Sequence, residues 1–189
     1  MDRATRDKFT SGTQSDLTSG NACWETAPKV FEKLEKDFGP FDIDLTADPQ
    51  RHLKPIYFGP GSPYEQDALE ALWSNHGKSG YSNPPYGKFV PYILQKAKAQ
   101  TAFGFSSTFL IPLRVTHAFR HYILKGPESV WFCDKRLCFY ENGNPRLSFD
   151  KKTQSWKPAA ALFDSIIVNY RPGFYLRPRF GVWEVPKHV

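Results

Sequence analysis

The 189-residue chain lacks any long uninterrupted apolar run. A membrane-spanning helix needs roughly 20 mainly apolar residues, and no stretch approaches that length. The first residues also lack the apolar segment of a secretory signal peptide. We therefore expect a soluble, cytoplasmic protein. Residues 21–189 are expected to form one domain, and residues 1–20, rich in Ser, Thr, Gly and charge, a flexible arm.

Cysteine is scarce, and its pattern argues against two kinds of site. The three cysteines, Cys23, Cys133 and Cys138, include no C-x-x-C pair. An odd number without that spacing argues against a disulfide framework and against a structural zinc site. His117 and His121 stand four residues apart, but no third ligand accompanies them in the sequence. We therefore expect no metal site.

Acidic residues are sparse in the second half of the chain. Residues 1–83 hold 9 Lys/Arg and 13 Asp/Glu, a balance of −4, whereas residues 84–189 hold 16 and 6, a balance of +10. A basic region of this size is typical of a protein that binds a polyanion, although a solvated basic surface has the same composition. Aromatic residues, at 16 %, could supply both a core and a base-stacking surface.

Strand and helix patterns alternate through the first 130 residues. Strands are predicted near 41–45, 56–58, 80–82, 105–111, 130–132, 137–140 and 166–168. Helices are predicted near 26–38, 67–73, 89–100 and 116–124. Thr26 is expected to cap the first helix, and Phe41, Ile43 and Leu45 to share one strand face. Residues 141–160 resemble a long polar excursion, and 171–189 a Pro- and Arg-rich tail.

This alternation predicts an α/β protein with a mixed central sheet and helices on both faces. In such sheets, ligands gather at the carboxyl ends of the strands. Asp44 and Asn83 both follow predicted strands. We therefore expect both side chains at one ligand-binding edge.

The segment Asn83-Pro84-Pro85-Tyr86 is the most informative motif. The prolines fix the backbone after a strand and withhold their N–H groups. The Asn83 side-chain oxygen and the Pro84 carbonyl could then accept the two N–H bonds of an exocyclic amine. Such an amine is a poor nucleophile because its lone pair is delocalised, and two acceptors would direct that lone pair at a methyl donor. Tyr86 could stack on the base, although a rigid proline turn covered by a packed tyrosine is the simpler interpretation of the motif alone.

The order of motifs resembles the phage DNA N6-adenine methyltransferase family, the short Dam-like enzymes of phages and prophages. The resemblance runs from about Trp24 to Tyr170. Its motifs include Trp24-x-Thr26-x-Pro28, Phe41-Asp42-x-Asp44, Asp67-x-Leu69 with Trp73, Asn83 to Tyr86, Leu110-Ile111-Pro112, Thr116 with Phe119 and Tyr122, Arg136-x-x-Phe139, and Phe163-x-Ser165.

The resemblance implies a single-domain Rossmann-like methyltransferase fold that acts on DNA in a bacterial host cell, with S-adenosylmethionine as cofactor. The implied catalytic residues are Asn83, Pro84, Pro85 and Tyr86. The implied cofactor residues are Trp24, Thr26, Pro28, Asp44, Ala47 and Asp67. The family's usual Gly-rich loop is absent, because Leu45-Thr46-Ala47-Asp48-Pro49 follows the first strand.

Exposed basic and aromatic side chains could hold a DNA backbone around a flipped-out base. The candidates are Lys88, Arg114, Arg136, Lys151, Lys152, Trp156 and Lys157, the last four in the expected DNA-contacting loop 141–160. Ordinary ion pairs or a solvated loop would place them equally well at the surface.

Two further functions remain compatible with the motifs. Asn-Pro-Pro-Tyr also suits methylation of a protein glutamine or of an RNA base amine, since both present a delocalised lone pair. A non-catalytic DNA-binding relative is the second alternative. The basic half favours nucleic acid over protein.

Overall fold

The computed structural model describes residues 24–117 and 119–187. The expected arm, residues 1–20, and Cys23 lie outside these residues. Two α-helices are described, α1 (Pro28–Phe38) and α2 (Phe89–Gln100). Short 3₁₀-helices span Trp73–Asn75 and Thr101–Phe103, and a π-helix spans Phe119–Ile123. None of the described helices is long and apolar enough to span a bilayer.

The main sheet contains seven strands: β1 (Ile43–Asp44), β2 (Ile56–Tyr57), β3 (Ser79–Ser82), β4 (Ser106–Pro112), β5 (Ser129–Cys133), β10 (Ser165–Tyr170) and β11 (Arg179–Trp183). Their order across the sheet is β11-β5-β10-β4-β3-β1-β2. Strand β10 is antiparallel to both neighbours, and every other pairing is parallel. The predicted α/β class with a mixed sheet is therefore confirmed.

Two apolar clusters share this sheet. In β4, Phe109 and Ile111 belong to the cluster that contains buried residues of α2, whereas Leu110 belongs to the cluster that contains buried residues of α1. This alternation follows from the two-residue period of a strand. Because both clusters are built on the same strands, β3 and β4 are buried almost throughout.

Three predictions about the first 75 residues are wrong: the Thr26 cap, the helix at 67–73 and the shared face at 41–45. Helix α1 has Ala27 at its N-cap, without a side-chain cap, and starts with Pro28, whose missing N–H costs nothing there. Thr26 bonds elsewhere, as described below. The predicted helix at 67–73 is a single turn: the Asp67 side chain caps it by accepting the Leu69 N–H (2.8 Å), and the Trp73 N–H donates to the Gln100 side chain (3.0 Å) instead of continuing the helix.

The pattern at 41–45 was also over-extended. Strand β1 includes two residues, and Phe41 lies in the α1 cluster while Ile43 and Leu45 lie in the α2 cluster. The predicted shared face is therefore wrong, since strand alternation does not reach Phe41.

The region 137–160 folds into two hairpins rather than a strand followed by an open excursion. The first pairs β6 (Tyr140–Glu141) with β7 (Asn144–Pro145), and the second pairs β8 (Leu147–Asp150) with β9 (Ser155–Pro158). Asn142 and Gly143 have φ of 52° and 73°, as an Asn-Gly hairpin turn requires. Strand β11, which the sequence did not indicate, adds an edge strand whose Trp183 is buried.

A buried polar network links three adjacent strands of the main sheet. The Asn169 carbonyl accepts the Thr108 hydroxyl (2.8 Å), and its amide donates to the Ser129 hydroxyl (3.0 Å). All three residues are fully buried. Since buried polar groups are costly when unpaired, this asparagine holds β4, β10 and β5 together.

We predict that Asn169→Ala lowers the free energy of unfolding by about 1–3 kcal/mol, because the Thr108 hydroxyl loses its acceptor. Urea denaturation measures the effect. The matched control is Asn144→Ala in the exposed first hairpin, expected to change stability by less than about 0.5 kcal/mol. Equal effects of the two substitutions would contradict the role of the network.

Candidate active site

The candidate site lies at the carboxyl ends of β1 and β3. These parallel strands place Asp44 opposite Tyr81, and β3 runs directly into Asn83. The hydroxyl of Thr46, just beyond β1, shares a hydrogen bond of 2.6 Å with the hydroxyl of Ser82, the last residue of β3. The fold therefore brings the acid of the first strand and the Asn-Pro-Pro-Tyr segment to one edge.

Both ends of the Asn83 amide are engaged. Its Nδ2 donates to the Trp24 backbone carbonyl, and its Oδ1 accepts the Tyr86 hydroxyl at 2.8 Å. A backbone carbonyl can only accept, so the Trp24 contact fixes which end of the amide is nitrogen. The oxygen is thereby turned toward Tyr86.

Tyr86 closes this corner and is 9 % exposed. Its ring makes edge-on contacts with Phe163 (5.4 Å) and Phe139 (6.3 Å), and Trp24 packs edge-on against the same two rings. Burial raises the pKa of the Tyr86 phenol well above its ordinary value. The phenol therefore stays protonated and acts as a donor to Asn83.

Residues 24–26, which we call the strap, tie this corner to the rest of the molecule. The Glu25 backbone pairs with Tyr140 in both directions (3.0 and 2.9 Å), and its carboxylate accepts the Gly143 N–H and pairs with Arg51 at 2.8 Å. Thr26 shares a 2.7 Å hydrogen bond with the buried Tyr81 hydroxyl. The strap thus connects the first hairpin to β3 and the Asn83 amide.

Asp44 is the one buried carboxylate at this edge among the described residues, with 5 % exposure. Burial raises its pKa to about 6, while hydrogen bonds from the Leu53 and Thr46 backbones and the nearby His52 act in the opposite direction. The Leu53 N–H lies 3.0 Å from Oδ2. A carboxylate held in this way would gain from a polar or cationic partner entering beside it.

A narrow cleft of about 40 Å³ lies just past the carboxyl ends of β1 and β3, where Thr46, Ala47 and Pro85 form part of its lining. Its walls are largely apolar and are lined by Leu45, Thr46, Ala47, Phe58, Gly59, Pro60, Gln66, Ala68, Pro85 and Phe89. The cleft therefore adjoins the diproline motif on one side and the turn around Asp67 on the other.

A family model described as DNA N-6-adenine-methyltransferase (Dam) matches residues 14–175. This match spans most of the chain, including all of the site just described. The chain belongs to the Dam family. Searches of curated proteins and of solved structures gave no match. This match confirms the resemblance inferred from the ordered motifs. It supports DNA adenine methylation as the activity of the family.

The sequence-predicted cofactor residues of this Dam-family chain fall into three groups. Asp44 is the last residue of β1, and Ala47, three residues later, lines the cleft. Trp24 and Thr26 lie on the strap and contact Asn83 and Tyr81 instead. Pro28 is exposed at the start of α1, and Asp67 is partly buried beside the cleft residues Gln66 and Ala68.

The sequence-predicted DNA-binding residues of the Dam-family chain are exposed. Lys151, Lys152 and Trp156 lie on the β8–β9 hairpin, and Trp156, 65 % exposed, pairs with Phe149 across it. Two others have acidic partners at the surface: Arg136 pairs with Asp164 (3.2 Å) and Lys157 with Asp150 (2.8 Å). Lys88 and Arg114 complete the set.

Sequence reasoning missed the residues that build the corner from outside the motif. Glu25, Tyr140 and Arg51 anchor the strap, and Arg146 covers the Trp24 ring. Their roles depend on contacts between distant segments, which no local pattern encodes. In the described residues, no group of three or more His, Cys, Asp or Glu side chains could hold a metal ion.

We predict that wild type loses stability relative to Asp44→Asn as pH rises from about 4 to 6. The unfolded chain ionises Asp44 above pH 3.8, whereas the folded protein keeps the proton to about pH 6. Stability present at low pH is therefore lost across this window, by on the order of 3 kcal/mol. Urea titrations at each pH measure the difference, and a pH-independent difference would contradict it.

Proposed function

We propose that the protein transfers a methyl group from S-adenosylmethionine to the exocyclic N6 amine of a flipped-out adenine in DNA. The observation that carries the proposal is the orientation of the Asn83 amide at the strand ends, with Nδ2 anchored to Trp24 and with Pro85 of the same motif lining the cleft. We also propose that the fold is Rossmann-like, with helices on both faces of the main sheet.

The chemistry requires an acceptor for the target amine. The Asn83 oxygen and the Pro84 carbonyl would accept its two N–H bonds and direct the nitrogen lone pair at the methyl carbon. Alignment of the reacting atoms supplies the remainder of the rate enhancement. In the observed conformation the Tyr86 hydroxyl occupies Asn83 Oδ1. The target amine would replace it, which frees Tyr86 to stack on the base.

The cofactor would supply an electrophilic methyl group on a sulfonium centre. The residues at this edge of the sheet suit it in chemistry: Asp44 is a buried carboxylate at the end of β1 that could accept hydroxyl or ammonium donors, and Ala47, Pro85 and Phe89 offer apolar walls to the cleft. The cleft is far smaller than the roughly 300 Å³ of a typical ligand site. The 59–68 segment, which forms one wall, would therefore have to move outward on binding.

DNA is supported as partner by the family and by the basic second half of the chain. A base in a duplex must leave the stack before it can reach Asn83, at a cost of a few kcal/mol. Lysines on the β8–β9 hairpin would hold phosphates, and the exposed Trp156 would contact bases or sugars. Such contacts would offset part of the cost of flipping.

We predict that Asn83→Ala abolishes methyl transfer to DNA because the target amine loses its acceptor. Transfer of a radiolabelled methyl group measures the effect, with DNA affinity and circular dichroism as checks on binding and folding. Asn144→Ala, an exposed asparagine of the first hairpin, is the matched control and keeps full activity. Undiminished transfer by Asn83→Ala would reject the proposed role.

We predict that DNA binding weakens steeply with salt, and that Lys151→Ala with Lys152→Ala makes this dependence shallower. Each phosphate contact contributes about −0.9 to the slope of log K against log salt, so the slope should change by about 2 units. Fluorescence anisotropy at several salt concentrations measures it. The control pair Lys29→Ala with Lys36→Ala, exposed on α1, leaves the slope unchanged. Equal slopes for both pairs would reject a DNA-contacting hairpin.

A further inference from the structure

We propose that Arg146 is a positioning residue that holds the Asn83 amide in place through Trp24 and couples it to the β8–β9 hairpin. The inference rests on the proposed function and adds to it a residue outside every predicted motif. Arg146 lies between the two hairpins, immediately before β8.

The contact that suggests this role is between a cation and an aromatic ring. The Arg146 guanidinium carbon lies 4.3 Å from the centroid of the Trp24 ring. Arginine favours such stacking because its planar group is attracted to the ring face. On the other side, Phe139 and Phe163 pack against Trp24 at 5.3 and 5.6 Å. The Trp24 side chain is therefore held from several directions.

Fixing the ring also fixes the Trp24 backbone, whose carbonyl accepts the Asn83 Nδ2–H. If this carbonyl moved, the Asn83 amide could rotate and present nitrogen instead of oxygen to the target amine. A donor at that position would repel the amine N–H bonds. Small misplacements of a catalytic group lower rates strongly, on the order of 100-fold for 1 Å.

The backbone of Arg146 forms the root of the β8–β9 hairpin. Its N–H donates to the Phe139 carbonyl (3.1 Å), and its carbonyl accepts the Ala159 N–H (2.7 Å). Phe139 itself contacts Trp24 and Tyr86. A displacement of the hairpin on DNA would therefore be transmitted to Trp24 by the Arg146 side chain and by the Phe139 ring.

An ordinary surface role would give Arg146 a different signature. Its ion pair with Glu141 is long, at 3.5 Å, with both side chains more than 40 % exposed. Such a pair contributes little to stability. If Arg146 served only as a phosphate contact, its loss would weaken DNA binding and leave the rate at saturating DNA unchanged. If Arg146 instead positions Asn83, its loss lowers the rate at saturating DNA and leaves DNA binding almost unchanged.

The experiment compares wild type, Arg146→Ala, Arg146→Lys and Arg179→Ala in full-length protein. Steady-state kinetics give kcat and KM for DNA, and anisotropy gives the dissociation constant. The Asn83 side-chain amide signal in ¹⁵N NMR spectra, assigned from Asn83→Ala, reports the amide environment without reference to activity. Arg179, an exposed residue of β11 that pairs with Glu128, is the matched control.

We expect Arg146→Ala to lower kcat at least tenfold, to change DNA affinity by less than threefold, and to shift the Asn83 amide signal. Arg146→Lys, which keeps a cation over the ring but loses the planar stack, should give a kcat between those of Arg146→Ala and wild type, and Arg179→Ala should match wild type.

Two results overturn the inference alone: an unshifted Asn83 signal in Arg146→Ala, or an unchanged kcat while wild type is active. A loss of affinity without loss of kcat also overturns it in favour of a phosphate contact. A wild-type protein that methylates no adenine overturns the proposed function, and this inference with it.

Discussion

The site depends on one arrangement, the two hydrogen bonds of the Asn83 side chain. An amide is nearly symmetric in shape but not in chemistry, and its orientation decides whether it accepts or donates. The Trp24 carbonyl accepts from Nδ2 and so leaves Oδ1 to face the Tyr86 hydroxyl. Strand β3 ends directly before Asn83 and so fixes its position. The two prolines fix the direction of the chain after it, and the strap holds the Trp24 carbonyl in place.

The Asn83 corner is stable in the observed conformation, in which Tyr86 covers the side-chain oxygen of Asn83. With Tyr86 in place, the Asn83 oxygen and the phenol satisfy each other in a buried setting, so neither incurs the cost of an unpaired polar group. A target amine would exchange one hydrogen bond for another. Asp44 differs, because burial outweighs its backbone hydrogen bonds and the nearby His52, raises its pKa to about 6 and leaves the carboxylate poised to gain from a ligand. The site thus combines an Asn83 oxygen that already accepts a hydrogen bond with an Asp44 carboxyl whose burial is only partly offset by its neighbours.

Much of the fold and the core of the site could be predicted from local patterns. Helix 89–100 follows from its apolar positions, the strand leading to Asn83 is predicted from the short segment 80–82 that runs into two prolines, and the Asn-Pro-Pro-Tyr order indicates the chemistry. The strap could not be predicted, since the Glu25–Tyr140 pairing joins segments more than 100 residues apart. The first hairpin had a readable signal in Asn142-Gly143, whereas β11 had none, because its outward Phe180 and Val182 lie among Arg and Pro residues.

The most direct test of the central claim is mass analysis of nucleosides from DNA incubated with the protein and S-adenosylmethionine that carries a deuterated methyl group. Our account predicts that the label appears in N6-methyladenine, since the Asn83 corner orients an amine on a purine. Label in N4-methylcytosine alone, or in no nucleoside of the DNA, would contradict it.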